Sequence, residues 1–318
     1  MRAGGYALSL LSVPLNVHVL QALAEESRSL TDLRRAVGSP PQTTMRGHLR
    51  TLTDIRVLKR RRQSEFPGAL DFELGGPGRD LLRVADILQG WLAGAPDGPI
   101  PLGGVAAKSA VKALVEGWSS TVVRAVAARP LSLTDLNRLI SEHNYPSLER
   151  RLGALRLAGL IEARPAKTRG TPYTVTDWLR RGVGPLAAAA RWERAYVVEE
   201  TTAIGRIDIE ASFLLAVPLL SLPPELSGAC RLAVEIRSNG GEPGLAGVFV
   251  EIEEGRVRSC VCRLQGEATA WASGTPKSWM RAVDEGGTDC LEIGGDWDLA
   301  TAVLGGMNRA LFRVIQPT

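Results

Sequence analysis

The sequence predicts an α+β chain. Two tandem helix-turn-helix modules, each closed by a β-hairpin, are followed by a mixed α+β domain. Three observations predict this. Ser29-Leu30-Thr31-Asp32-Leu33 returns as Ser132-Leu133-Thr134-Asp135-Leu136, an offset of 103, and 12 of the 44 positions in 19–62 are identical to 122–165. Each copy runs from helical periodicity into a short β-prone stretch. From about Thr202 the pattern changes to strand-like alternation of apolar and polar residues. A repeat this long marks duplicated domains rather than a solenoid. The expected organisation is a first module over 1–95, a linker over 96–104, a second module over 105–200 and an α+β domain over 201–318.

In each copy a first helix is expected over Leu15–Ala24 or Trp118–Ala127. Ser29 stands three residues before Asp32, a helix start in which the hydroxyl caps an early N–H and the carboxylate favours the positive helix end. A short second helix then reaches about Val37, and Pro40-Pro41 marks the turn. The third helix carries Met45, Leu49 and Leu52; its twin carries Leu148, Leu152 and Leu155. The spacing i, i+4, i+7 puts these on one buried stripe and leaves the opposite face free. Strands at Val57-Leu58 and Leu160-Ile161 pair with returning strands at Asp71–Leu74 and Tyr173–Thr176. This order is that of a winged helix. Gly94–Gly104, with four Gly and three Pro, reads as the linker. Leu186–Glu200 is Ala-rich and reads as a long helix.

In the last third, strands are expected at Arg231–Arg237, Ala246–Glu253, Arg256–Leu264, Glu267–Ser273 and Asp289–Ile293. Glu254-Gly255 marks a hairpin turn. Helices are expected at Pro276–Val283 and Trp297–Phe312. A sheet of this kind can cover an apolar cavity.

Charge is unevenly placed. Residues 1–100 carry 13 basic and 10 acidic groups, 101–200 carry 15 and 9, and 201–318 carry 10 and 15. A basic front and an acidic back imply different partners, and a basic front is compatible with nucleic acid. With 45% hydrophobic and 23% charged residues, each domain can bury a core, which excludes a disordered chain. All four cysteines lie in the last third, which does not suit a secreted disulfide framework. The apolar start resembles an export signal, but Pro14, Asn16, His18 and Gln21 interrupt it and part of it recurs inside the chain. No run approaches the roughly 20 apolar residues that span a bilayer. A cytoplasmic protein is therefore expected.

Residues Leu148–Glu162, with Arg-Leu-x-x-Leu-x-x-x-Gly-Leu-Ile-Glu at Arg151–Glu162, resemble the third helix and first wing strand of HxlR-type transcription regulators, relatives of the MarR type. Phe72-Glu73-Leu74 with Gly78-Arg79-Asp80-Leu81-Leu82 resembles that family's wing end and last helix, and Gly117-Trp118 the start of its first helix. The resemblance implies double-stranded DNA as the partner. It also implies that the helix from Leu186 helps pack the two copies together, as a pseudo-dimer within one chain or in a homodimer. Both copies lack the cysteine often found near the family's amino end.

On the free face of the third helix, Gln42, Thr43, Thr44, Arg46 and Arg50 are candidate base and phosphate contacts. Arg pairs with guanine edges and Gln with adenine edges. Arg60, Arg61 and Arg62, after Lys59, are a candidate phosphate clamp. The second copy offers Tyr145, Ser147 and Arg150 on the helix and Arg164, Lys167 and Arg169 on the wing. Glu149 stands where the first copy has Arg46, so the second copy is the weaker reader. A basic run is also what an ordinary solvated surface looks like.

Ala268–Ser273, Gly274, Trp279, Leu291–Gly295 and Asp298-Leu299-Ala300 resemble the later half of sterol-carrier-protein-like domains. That resemblance implies a small apolar effector. The candidate contacts are Phe213, Leu215, Phe249, Trp271, Trp279, Met280 and Leu304, which would serve equally as ordinary core. Cys260 and Cys262 are two apart on an expected strand and so share a face. A redox role is conceivable there, while burial as small apolar groups is the simpler reading. His18, His48 and His143 fit no metal spacing, and no cofactor is expected. No G-x-S-x-G, H-E-x-x-H or Walker-type loop is present, so no catalysis is expected. The reading is a DNA-binding regulator with a ligand-sensing domain. Its rivals are a small-molecule carrier whose modules are an oligomerisation scaffold, and a protein-docking adaptor.

Overall fold

A computed structural model describes residues 3–62, 70–116, 119–140, 144–165, 170–197, 204–237 and 243–312. The first elements are α1 (Gly5–Leu11), α2 (Pro14–Ala22), β1 (Arg28–Ser29), α3 (Leu30–Ala36), α4 (Gln42–Asp54), β2 (Leu58–Arg62), β3 (Leu70–Leu74), α5 (Gly76–Ala93) and α6 (Val105–Glu116). Then come α7 (Ser120–Ala128), β4 (Leu131–Ser132), α8 (Leu133–Leu139), α9 (Tyr145–Leu157), β5 (Ile161–Ala163), β6 (Pro172–Val175), α10 (Asp177–Arg181) and α11 (Val183–Tyr196). The last are α12 (Arg206–Ala216), a 3-10 turn (Val217–Leu219), β7 (Gly228–Arg237), β8 (Pro243–Glu253), β9 (Arg256–Val261), β10 (Ala270–Gly274), α13 (Pro276–Glu285), β11 (Glu292–Gly295) and α14 (Trp297–Phe312).

Contacts divide the chain into two compact units, Met1–Val115 with Pro185–Thr202, and Glu116–Gly184 with Ala203–Thr318. The expected cut near 200 lies two residues from one of these boundaries, while the expected cut near 95 has no counterpart and the division falls instead after Val115. The segment 94–104 is not a loose linker: Gln89 on α5 donates to the Ile100 carbonyl (3.2 Å) and accepts from the Leu102 N–H (2.7 Å).

In the first unit, Ser29 caps α3 as its spacing predicts, its hydroxyl accepting from Asp32 N–H at 3.2 Å. Ser132 caps α8 in the same way at 3.2 Å, in a complete capping box with Asp135. The strands β1 and β4, two residues each, are not predicted by the sequence, because such short strands carry no alternation to read. They complete three-stranded sheets of order β1-β3-β2 and β4-β6-β5. The same turn ends α4 and α9: Arg56 has φ 60° and Gly159, at the 103-residue offset, has φ 71°. This left-handed position suits glycine and costs the arginine roughly 1 kcal/mol. The carbonyls of Val57 and Leu160, also at that offset, accept from Gly75 N–H (2.9 Å) and Thr176 N–H (3.1 Å).

The Ala-rich helix α11 begins at Val183, earlier than expected, and its residues from Pro185 belong to the first unit. Glu193 is buried at 7% exposure and accepts from the N–H groups of Gly4 (2.7 Å) and Ala7 (2.9 Å), at the start of α1. The indole of Trp192 donates to the Pro77 carbonyl (2.7 Å), and the Tyr196 hydroxyl bonds the Asp80 carboxylate. One helix thus fastens α1 and α5.

In the second unit a five-stranded sheet runs β11-β10-β7-β8-β9, antiparallel except for β10 beside β7. One face packs Leu232, Val248, Val250, Ala270 and Ala272 against Phe213, Trp279, Val303 and Leu304. Strand edges differ from expectation by no more than three residues, and α14 matches it. The helix α12 is not predicted by the sequence. It is fixed to α7 and α10 by polar contacts. Arg124 pairs with the buried Glu210 (2.5 Å), Ser120 bonds Asp208, and Arg180 donates to the Leu214 carbonyl (2.9 Å). The sheet domain and the elements α7–α10 therefore form one packed body.

Glu193→Ala should destabilise the first unit by about 1–3 kcal/mol, because two buried N–H groups lose their acceptor. Urea unfolding followed by the fluorescence of the neighbouring Trp192 measures this. A loss below about 0.5 kcal/mol would show that water replaces the carboxylate.

Candidate nucleic-acid interface

The exposed side of α4 follows from what its other side buries. Met45, Leu49 and Leu52 are 0–2% exposed. Gln42, Thr43, Thr44, Arg46 and Arg50, on the remaining faces, are all exposed. The helix is positioned at both ends. Before it, Gly38 and Ser39 adopt φ 88° and 55°, and Ser39 N–H reaches back to the Arg34 carbonyl at 2.7 Å, closing a tight turn after α3. In its middle, His48 Nδ1 lies 2.8 Å from Oδ1 of the buried Asn16 on α2, whose amide donates to the Leu10 carbonyl at 3.0 Å. His48 is thus a structural residue that ties α4 to α2. His18 lies at the surface beside Gly103, and His143 is outside the described residues.

Beside α4, β2 pairs with β3 in the register Lys59↔Glu73, Arg60↔Phe72, Arg61↔Asp71 and Arg62↔Leu70. Lys59, Arg60, Arg61 and Arg62 are all exposed. Alternation puts Lys59 and Arg61 on one side of the ribbon and Arg60 and Arg62 on the other, so the ribbon carries two cations per side. Arg50 lies 3.8 Å from Asp54 with both side chains more than two-thirds exposed. A pair like that contributes almost nothing to stability and leaves the guanidinium available. A polar cleft of about 420 Å³ lies nearby, lined by Glu26, Arg28, Asp32, Arg35 and Asp71 among others. Its carboxylates offset its arginines, so it has no preference for an anion.

The second set of elements places its candidates less uniformly. Leu148, Leu152 and Leu155 are 0–3% exposed, as the stripe predicts. Tyr145, Glu149 and Arg150 are exposed, and Ser147 is half-buried with its N–H bonded to Asn144, the helix cap (3.0 Å). Arg164 is exposed just beyond β5, and its N–H bonds the Pro172 carbonyl (2.8 Å). Lys167 and Arg169 lie outside the described residues.

The seven residues expected to line one apolar pocket do not converge. Phe213, Trp279 and Leu304 share the sheet's inner core, where Phe213 and Trp279 meet edge-on at 5.1 Å and the Trp279 indole donates to the Ala233 carbonyl (2.7 Å). Met280 is half-buried next along α13. Leu215 is fully buried but lies outside that cluster, on a helix that also packs on α7 and α10. Phe249 and Trp271 alternate with the inner residues Val248, Val250, Ala270 and Ala272, and therefore lie on the opposite side of the sheet. There Trp271↔Arg231↔Phe249 form a row across three strands. Trp271 lies over Gly294, where a Cβ would sit within 2.4 Å of the indole. Arg231 donates to the Gly266 carbonyl (2.7 Å), and Arg263 stands 5.5 Å from the Phe249 ring centre. The loop after β9 thus covers this side of the sheet.

The strand β9 ends at Val261, so only Cys260 of the two cysteines lies on it; both pack at the rim of the core. Burial pushes the thiols of Cys230 and Cys260 up to about 12, and raises that of Cys262 as well, with Glu210 adding to the shift. Such thiols stay protonated at neutral pH and are poor nucleophiles and poor metal ligands. Among the described residues no group of three or more His, Cys, Asp or Glu is placed to hold a metal ion, and no helix is long and apolar enough to cross a membrane.

The two sides of α4 should respond differently to truncation. Met45→Ala should cost about 2–5 kcal/mol, while Arg46→Ala should change stability by no more than about 0.5 kcal/mol. Thermal unfolding of the two variants tests this; an equal loss in both would show that Arg46 is part of the packing.

Residues 13–96 match the HxlR-like helix-turn-helix family, which is 84 of the chain's 318 residues. No curated protein matches the chain significantly. The match ends at the close of α5 and contains α2, α3, α4 and the β2–β3 ribbon, so the part of the chain that carries the exposed helix face and the four cations is similar to HxlR-like helix-turn-helix proteins.

Proposed function

We propose that this protein is a sequence-specific DNA-binding transcription regulator whose first module reads the duplex. The observation that carries this reading is an HxlR-like region in which α4 exposes Gln42, Thr43, Thr44, Arg46 and Arg50 beside a ribbon bearing Lys59 to Arg62. A helix buried along one stripe can lay its other side in a major groove. Arg46 and Gln42 would meet base edges, and the ribbon cations would meet phosphates.

On this reading α7 to α10 are a second winged helix. Supporting this are the repeated strand order, the shared Ser–Asp cap and the common turn at Arg56 and Gly159. Its wing would add Arg164 to the phosphate contacts, with Lys167 and Arg169. Its helix α9, with Glu149 in the place of Arg46, is the weaker reader. The protein would act in the cytoplasm, without catalysis of its own.

The effector part of the proposal assigns a small apolar ligand to the sterol-carrier-like sheet domain. The layer that supports it holds Phe213, Trp279 and Leu304, with Met280 at its edge. A ligand there has to part the Phe213–Trp279 contact. Regulation follows if the ligand prefers one arrangement of the domain over another. Because α12 is fastened to α7 and α10, a change in that layer bears directly on the second module.

Replacing Arg60, Arg61 and Arg62 with Ala should weaken binding to all duplexes and lower the salt slope by about one for each phosphate no longer neutralised. Arg46→Ala should instead cost about 1–3 kcal/mol against the preferred site alone and relax the choice at one base pair. Fluorescence anisotropy across a salt series measures both. Unchanged affinity and slope in the triple variant would remove the proposed clamp, and no binding to any duplex by the wild type at low salt would favour the carrier reading. In a thermal-shift series with fatty acids, sterols and planar aromatics, at least one class should raise the melting temperature. No shift at millimolar ligand would remove the sensor.

A further inference from the structure

The side of the sheet turned away from the core holds an arginine that the fold does not satisfy. Arg231 stands between Trp271 on β10 and Phe249 on β8 in one cross-strand row. It is half-buried, and of its donors only Nη2–H is used, to the Gly266 carbonyl (2.7 Å). Its Nε is buried without a partner among the described residues. A buried donor left unpaired is costly and calls for an acceptor. Arg263 reaches the same ring from the loop after β9, its guanidinium carbon 5.5 Å from the Phe249 centroid. Two guanidiniums thus flank one ring, and neither has a carboxylate partner among the described residues. Other arginines of this domain do: Arg258 pairs with Glu253 (2.6 Å) and Arg281 with Glu285 (2.9 Å). On the same face of β8 as Phe249, the Glu251 carboxylate is held by the Ser259 hydroxyl (2.5 Å). On the other side of Arg231, the Trp271 indole lies over Gly294, and only a residue without a side chain leaves it room there. The loop that covers Phe249 leaves Trp271 half-buried.

We infer that this face binds a flat aromatic carboxylate, its carboxylate taken by Arg231 and Arg263 and its ring laid against Trp271. A guanidinium fork matches the two oxygens of a carboxylate. An anion between the two arginines removes their mutual repulsion and gives Arg231 the acceptor it lacks. Trp271 is one strand away from Arg231, about 4.8 Å across the sheet. A carboxylate joined directly to a two-ring system therefore reaches both. A neutral ring leaves the guanidiniums unmatched, and a bare anion gains nothing from the indole. This place is separate from the inner layer of Phe213 and Trp279, because alternation puts Arg231 and Trp271 on the opposite face. A ligand here parts no core contact. The inference depends neither on DNA binding nor on the inner layer holding a ligand.

Isothermal titration calorimetry of the full chain with 2-naphthoate, 2-naphthamide and inorganic phosphate tests the site. The wild type should take up 2-naphthoate saturably, with a Kd below about 1 mM. The neutral amide and phosphate alone should not saturate over the same range. Arg263→Gln should weaken 2-naphthoate by about tenfold or more and leave the far-ultraviolet circular dichroism unchanged, since that side chain is exposed. Arg231→Lys keeps the charge but not the fork and should weaken it as well. Gly294→Ala displaces the indole without touching either arginine and should also weaken it. Phe213→Leu, in the inner layer, should leave it unchanged. No saturable uptake of 2-naphthoate, an amide that binds as tightly as the acid, or affinity indifferent to Arg263→Gln would each overturn the inference. So would an equal loss in Phe213→Leu, because the ligand would then lie in the inner layer. The triple variant of Arg60, Arg61 and Arg62 separates the two proposals: it should lose DNA affinity and keep 2-naphthoate.

Discussion

The arrangement depends on burial of Met45, Leu49 and Leu52 along one side of α4. Their spacing fixes which way the helix faces, because three large apolar side chains at i, i+4 and i+7 can be covered together in only one rotation. All the polar candidates then point outward as a consequence. Asn16 and the half-buried His48 support the same rotation through a hydrogen bond between α2 and α4. The cations of β2 stand beside this face because the ribbon starts two residues after the turn at Arg56.

The same constraint operates in α9, with a different result. Leu148, Leu152 and Leu155 hold that helix in the equivalent rotation, so its outward side is just as open. The copies differ in the set of residues displayed, cationic and polar on α4, apolar and mixed in charge on α9. The second copy is also fastened to the sheet domain through Arg124, Glu210 and Arg180, which the first copy has no counterpart for at the matched positions 21 and 77.

Much of this is legible in the residues. The repeat, the caps at Ser29 and Ser132, both apolar stripes and α14 can be read because each is a local pattern with a physical cause. The parts that cannot are of three kinds. The strands β1 and β4 are too short to alternate. The partition into units depends on where α11 and α12 pack, and an Ala-rich helix or an apolar one gives no sign of its neighbour; Glu193 bonding to Gly4 is a contact across almost the whole first unit. The expected apolar pocket fails because it groups large apolar residues by type. Alternation along Val248, Phe249 and Val250 is a sequence signal in its own right, and it puts Phe249 on the far side of the sheet.

Selection of bound duplexes from a random DNA pool by the full chain tests the central claim most directly, namely that the outward face of α4 reads sequence. The account predicts enrichment of a defined motif, with Arg46→Ala losing the preference at a single base pair of it. A pool that stays random through repeated rounds at low salt would contradict the account.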